Sequence, residues 1–210
     1  MLNILLPIET PELLLRKFRP EDGEGLYAYL SDPETVWFEP YGPLTREQAC
    51  AEAQARAQSR CFVAVERAGV LIGHLYFAVK GDCAELGYVF SPAYQGHGYA
   101  TQAVRALMNA AFSAGLRRVT AECALENPRS WHLLERLGMR RVSETPHSVC
   151  FKQDPSGNDL WWTRLEYEIC REAWEKPGRS ISGNVEIIHP AIGGSVVSPA
   201  VHERRSDDVL

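Results

Sequence analysis

The sequence predicts an α+β fold, in which a mixed and mostly antiparallel sheet is flanked by helices, and two observations carry that expectation. The first half reads as strands joined by tight turns, with two helices set among them. Residues 86 to 139 then read as strand, glycine-rich loop, helix, strand and helix.

Leu13 to Arg16 reads as the first strand, and Pro20-Glu21-Asp22 leads into a short helix through Tyr29. Residues 33 to 45 form a proline-broken aromatic loop. Thr45 with Gln48 makes a capping box, each residue satisfying a backbone donor of the other, and opens a helix to about Ser59. Cys61 to Glu66 and Val70 to Val79 are strands around an Ala68-Gly69 turn, and Gly81-Asp82 turns into a strand from Ala84 that Ser91-Pro92 ends. Ala100, Ala103, Val104, Leu107, Met108, Ala111 and Phe112 recur at three and four, the buried stripe of a helix that stops at Gly115. Val119 to Ala124 is the next strand. Glu126-Asn127-Pro128-Arg129-Ser130 open a second helix, with Trp131, Leu134 and Leu137 along one face and Gly138 at its end. Ser148 to Lys152 and Leu160 to Ile169 read as paired strands, with a short helix after them through Trp174.

These elements fill one domain, residues 1–176; in residues 177–210 Pro, Gly and Ser recur without a period, and disorder is expected. The 210 residues are 45% hydrophobic and 23% charged, the profile of a soluble globular chain with enough length for a core. A net charge of -5 argues against nucleic acid and for a cationic partner. The longest apolar runs are too short to cross a bilayer, and Met1 to Pro7 lacks the basic start and cleavage site of a signal peptide. None of the six cysteines forms a Cys-x-x-Cys pair or has histidine spacing suited to zinc. They read as reduced thiols in a cytoplasmic protein without a metal.

The loop Gln95-Gly96-His97-Gly98-Tyr99-Ala100-Thr101 joins a strand to a helix amino-terminus. Such an end carries unpaired N–H groups and about half a positive charge, and glycines let a phosphate come close, so the loop is a pyrophosphate candidate. An ordinary tight turn is the plainer account. In a dinucleotide fingerprint the strand runs almost directly into the first glycine, whereas here Ser91 to Gln95 intervene, although Glu122 stands near the spacing of a ribose-binding acid. No Lys-Ser or Lys-Thr follows the glycines, which excludes a P-loop.

The ordered set Gln95-x-x-Gly98-x-Ala100, helix, strand, Asn127-x-x-Ser130 and Leu137-Gly138-Met139 resembles the acyl-CoA N-acyltransferase superfamily (GNAT). Leu13-Leu14-Leu15-Arg16, Pro20-Glu21-Asp22, Ser31-Asp32-Pro33, Ile72-Gly73 and Glu85-Leu86-Gly87-Tyr88 extend the resemblance toward its RimJ/RimL branch, which acetylates protein N-termini and small amines. The resemblance implies the GNAT fold, its sheet splayed at the cofactor site. It also implies an N-acetyltransferase that moves the acetyl group of acetyl-CoA directly to a primary amine, either a protein N-terminal α-amine or a small molecule. A non-catalytic acyl-CoA-binding sensor on the same fold is the alternative. No nucleic acid or membrane partner is expected, and homodimerisation is left open.

Carried over residue by residue, the resemblance places the cofactor on Val89, Phe90, Ser91, Gln95, Gly96, His97, Gly98, Tyr99, Ala100, Thr101 and Asn127. The backbone of Val89 and Ser91 is expected to pair with the pantetheine amides as an added strand, and His97 to offer its N–H. Asn127 meets the pantetheine or its loop, or else simply forms a turn. Acylation needs a neutral amine, and keeping it neutral at pH 7 costs on the order of 4 kcal/mol for a lysine-like amine against about 1 for an α-amine. A base must take the proton and an acid should protonate the thiolate. Glu85 is the first candidate base, through water, and Glu122 the second. The superfamily's usual tyrosine acid falls on Leu134, so Ser130 takes the acid role by resemblance, with a helix-start hydroxyl as its other account. Trp37, Phe38 and Tyr41 wall the acceptor pocket or pack as a surface loop.

Deleting residues 178 to 210 is expected to leave melting temperature and acetyl-CoA turnover close to those of the full chain, which a thermal melt and a thiol-release assay check.

Overall fold

The computed structural model describes Ile4 and residues 6–176, so the tail expectation lies outside the described residues. The strands are β1 (Ile8–Glu9), β2 (Leu14–Arg16), β3 (Phe62–Arg67), β4 (Val70–Lys80), β5 (Cys83–Phe90), β6 (Arg118–Ala124), β7 (Arg140–Gln153) and β8 (Asp159–Cys170). They form one sheet in the order β1-β2-β3-β4-β5-β6-β8-β7. Each neighbouring pair is antiparallel except β5 with β6. The mixed, mostly antiparallel α+β reading therefore holds.

Among the described residues five α-helices cover the sheet: α1 (Gly23–Leu30), α2 (Arg46–Gln58), α3 (Tyr99–Ser113), α4 (Pro128–Arg136) and the short α5 (Arg171–Trp174). The α3 stripe forms because Ala103, Val104, Leu107, Met108, Ala111 and Phe112 all bury against Leu75, Phe77, Leu86 and Val119. Leu133, Leu134 and Leu137 bring α4 onto the same face. On the opposite face Leu26, Tyr29 and Leu30 of α1 and Ala49 and Ala53 of α2 pack on Ala64, Leu71 and Val89. The α2 capping box is present as read: Thr45 Oγ1 accepts from Gln48 N at 3.2 Å, and Thr45 N donates to Gln48 Oε1 at 2.8 Å.

Two strands depart from the sequence reading. The two-residue β1 has no counterpart in it, since so short an edge carries no alternation. β7 begins at Arg140, well before the expected Ser148. Its first half is charged and holds Pro146, which hides a strand, but β7 lies at the edge of the sheet, where a missing N–H is tolerated. Ion pairs with the neighbouring strand replace apolar burial there, such as Arg140 to Glu168 at 2.8 Å.

A buried charge cluster ties the first elements together. Arg16 donates to both carboxylate oxygens of Asp22 at 2.8 Å and, through Nε, to Glu66 at 2.7 Å. Asp22 also accepts from Arg19 N at 2.7 Å. Burial opposes ionisation of Asp22, but these donors outweigh it and hold its pKa below the ordinary value. A depressed carboxylate contributes stability that is complete above its unfolded value and is lost as pH falls through the folded one. Asp22→Ala is expected to cost about 3 kcal/mol, because it takes one of two carboxylates from the buried Arg16 and leaves Glu66 alone against it, and to flatten the acid limb of the stability curve. Chemical denaturation from pH 7 down to pH 3 checks both.

Candidate active site

The parallel pairing of β5 with β6 covers only Cys83–Leu86 against Arg118–Ala121. Beyond it β5 stays with β4 as far as Phe90 opposite Gly73, while β6 follows β8 to Ala124 opposite Arg164. The two strands diverge there and leave a gap. Arg117 N donates to Asp82 O at 2.8 Å, so by alternation the even-numbered residues of β5 face β6. Tyr88 and Phe90 therefore present their backbone groups to the gap.

That geometry corrects one expectation. Ser91 N donates to Ile72 O at 2.9 Å, and Val89 faces β4 with it, so neither backbone is free for an added strand. The open edge belongs to Tyr88 and Phe90 instead. Gln95 reaches back over it, its Nε2 donating to Phe90 O at 3.2 Å while Oε1 accepts from Arg129 at 2.9 Å.

Past the gap, Gly96 and Gly98 adopt φ of 81° and 82°. A side chain is strained at such angles, and a Cβ built on either glycine meets nothing within 4 Å. Gly98 is the cap position of α3 and offers no side chain to the first N–H groups of Tyr99, Ala100 and Thr101. Open space, exposed backbone and an uncapped helix start fit a pyrophosphate. The His97 ring stacks on Tyr99 at 5.6 Å, and Arg67 lies 4.9 Å over the same ring.

At the start of α4, Asn127 accepts from Ser130 N at 3.3 Å and is the helix cap. Ser130 is thereby released from that duty. Its hydroxyl lies 2.9 Å from the Tyr88 hydroxyl, and Tyr88 also donates to Ser130 O at 3.0 Å. Burial pushes the Cys123 thiol up to about 11, and Ser130 beside it draws it down only in part. Leu134, at the usual tyrosine position, is fully buried in the core.

The carboxylates lie on the other side of the sheet. Leu86 and Phe90 belong to the core beneath α3, as do Val119 and Ala121, so Glu85 and Glu122 alternate onto the α1/α2 face. Glu85 stands opposite Thr120 in the closed part of the pair, and Glu122 is the first residue of β6 beyond it. Burial raises the Glu122 pKa; Arg164, at 3.8 Å, opposes the shift, while Glu166 and Glu85 add to it.

The loop between α1 and α2 crosses the gap on this face. Trp37 and Phe38 rest on Trp162 of β8, with ring centroids 6.3 and 5.2 Å apart. Lys152 of β7 donates to the carbonyls of Glu39 at 3.1 Å and Tyr41 at 2.7 Å. Burial lifts Glu39 to about 6 against the pull of Arg56, Lys152 and the Tyr41 hydrogen bond. Sequence reasoning placed Trp37, Phe38 and Tyr41 in this loop but missed Glu39, Lys152 and Trp162, whose meeting depends on contacts across more than a hundred residues.

A strand edge along one wall and an uncapped, glycine-led helix start at the mouth suit a long thioester with an anionic head. The class it defines is the acyl-CoA-dependent transferases. The chain belongs to the GNAT acetyltransferases: the family model described as an acetyltransferase (GNAT) domain matches residues 12–140. It is 34% identical over 173 residues to an uncharacterised N-acetyltransferase, YnaD, of Bacillus subtilis, covering 80% of this chain and 98% of that one. A GNAT acetyltransferase structure from Bacillus anthracis is 31% identical, with a TM-score of 0.71 over 80% of this chain and 99% of that one. A spermidine N-acetyltransferase from Vibrio cholerae shares the fold, with a TM-score of 0.65 at 17% identity over 78% of this chain and 98% of that one.

Gly98→Val is expected to weaken acetyl-CoA binding at least tenfold, about 1.4 kcal/mol, by filling the approach and straining a left-handed residue. Titration calorimetry reads the loss; unchanged affinity would remove the pyrophosphate assignment.

Proposed function

We propose that this chain is a cytoplasmic, RimJ/RimL-like N-acetyltransferase that moves the acetyl group of acetyl-CoA to a primary amine within the gap between β5 and β6. The observation that carries the reading is the two-sided gap, with Ser130 at the α3/α4 face and Glu85 and Glu122 at the other. When bound, acetyl-CoA supplies the acetyl thioester. Gly96 to Thr101 hold its pyrophosphate through backbone N–H groups. Tyr88 and Phe90 pair with the pantetheine amides along the open edge. Ser130 donates the proton that the departing thiolate takes up. It sits in the first turn of α4, whose positive end favours negative charge nearby.

The amine enters from the α1/α2 face, beneath Trp37, Phe38 and Tyr41. Glu85 or Glu122 accepts its proton through water, and the position of Glu122 at the mouth with a raised pKa favours it over Glu85. An α-amino group asks less of such a base than a lysine-like amine, about 1 against 4 kcal/mol at pH 7, which favours a protein or peptide N-terminus. The acidic lining supports a cationic acceptor of either class. Six unpaired cysteines support a reducing compartment.

Ser130→Ala is expected to lower kcat by about ten- to a thousandfold with little change in KM for acetyl-CoA, and to gain nothing from alkali beyond wild type. The glutamine variant of the true base should instead recover activity as pH rises and free amine becomes abundant. Rate profiles of Glu85→Gln and Glu122→Gln from pH 6 to pH 10 separate the two carboxylates. If neither recovers, the base lies elsewhere.

A further inference from the structure

Resting on the reading of Ser130 as proton donor, we propose that Tyr88 is its positioning residue: the phenol donates to Ser130 Oγ and so turns the serine's own proton toward the departing sulfur. The two hydroxyls are 2.9 Å apart, and Ser130 O lies 3.0 Å from the same phenol. One phenolic proton serves two acceptors. Donated to the carbonyl, it leaves the serine proton pointing back at the phenol oxygen. Donated to Oγ, it frees the serine proton to point into the gap. Negative charge growing on Oγ favours the second arrangement, because a hydrogen bond to a charged acceptor is about twice as strong as one to a neutral acceptor.

The groups around Oγ suit this role. Burial raises the Tyr88 phenol far above its ordinary value, and the bond to Ser130 only partly offsets that, so Tyr88 keeps its proton and stays a donor. Cys123, with its thiol raised to about 11, is neutral as well. The amide of Ser130 is committed to Asn127, which fixes the start of the helix independently of Oγ. In the step itself Ser130 gives its Oγ proton to sulfur as the carbon–sulfur bond breaks and its electron pair passes to sulfur. Tyr88 steadies the partial negative charge on Oγ by its hydrogen bond, and solvent passes a proton to Oγ as the serine proton leaves, so that no free alkoxide forms; the amine's proton goes from the carboxylate to solvent at the other mouth. A phenol thus serves the reaction from β5, although α4 carries Leu134 where the superfamily carries its tyrosine.

Wild type, Tyr88→Phe, Ser130→Ala and the double variant close a thermodynamic cycle in kcat. Tyr88→Phe is expected to lower kcat by about tenfold with KM for acetyl-CoA nearly unchanged, and the double variant to turn over no more slowly than Ser130→Ala. A Tyr88→Phe loss that persists in full on the Ser130→Ala background overturns the proposal, as does a wild-type kcat in Tyr88→Phe. A wild-type kcat in Ser130→Ala instead sinks the proton-donor reading on which it rests. Calorimetric binding of acetyl-CoA shows whether Tyr88→Phe keeps its site. Should it not, a fluorinated tyrosine at position 88 retains the hydroxyl and strengthens it as a donor. A kcat that moves with that change supports the proposal, and one that does not overturns it.

Discussion

The site depends on the short run of parallel pairing between β5 and β6. After Leu86 and Ala121 the two strands have different partners, β4 on one side and β8 on the other, and each partner holds its strand for several more residues. The backbone groups of Tyr88 and Phe90 are thereby left at an inner edge. Backbone N–H and C=O groups removed from water without a partner are costly, so such an edge requires water, a side chain or a ligand. Gln95 takes up Phe90 O, and the Tyr88 hydroxyl bridges from β5 to α4. The gap is thus built into the strand pairing, and side chains from both flanks reach across it.

Because the gap passes through the sheet, its two mouths differ. On one face stand hydroxyl and thiol groups that burial keeps neutral, next to a helix start. On the other stand carboxylates, an arginine and an aromatic roof. Protonating a sulfur and deprotonating a nitrogen, the two tasks of the proposed reaction, can be divided between groups of different acidity, and the two mouths offer one set each. The sheet separates the two sets of groups by alternation: Tyr88 and Cys123 point one way, Glu85 and Glu122 the other.

Much of this was legible in the sequence. The α3 stripe, the Thr45 box and the glycine loop are local patterns, and local geometry makes them. The first half of β7 was not, because an edge strand held by ion pairs has neither alternation nor an apolar run. The direction of backbone groups was not either. Whether Val89 or Tyr88 faces the gap turns on a one-residue register that hydrophobicity does not encode, since both residues are apolar enough for either face. The Tyr88 hydroxyl meets Ser130 only once α4 packs on the α3 face, a contact spanning 42 residues. In sequence Asn127 is a pantetheine contact or a turn-former alike, and its hydrogen bond to Ser130 N makes the capping role visible.

The roof over the carboxylate mouth has its own electrostatics. Two carbonyls of the α1–α2 loop receive Lys152, so the loop is fastened by backbone acceptors while the Glu39 carboxylate remains half-buried. With its pKa raised to about 6, Glu39 withdraws stability from the folded loop as pH climbs through that value, the reverse of Asp22. At neutral pH Glu39 is charged in a place that resists charge, with Arg56, Lys152 and Tyr41 compensating only in part. On the proposed reading, a cationic acceptor arriving beneath Trp37 and Phe38 would supply the missing compensation. The same burial that strains the free loop would then favour a positive ligand over a neutral one, and the roof would contribute selectivity without touching the reacting atoms.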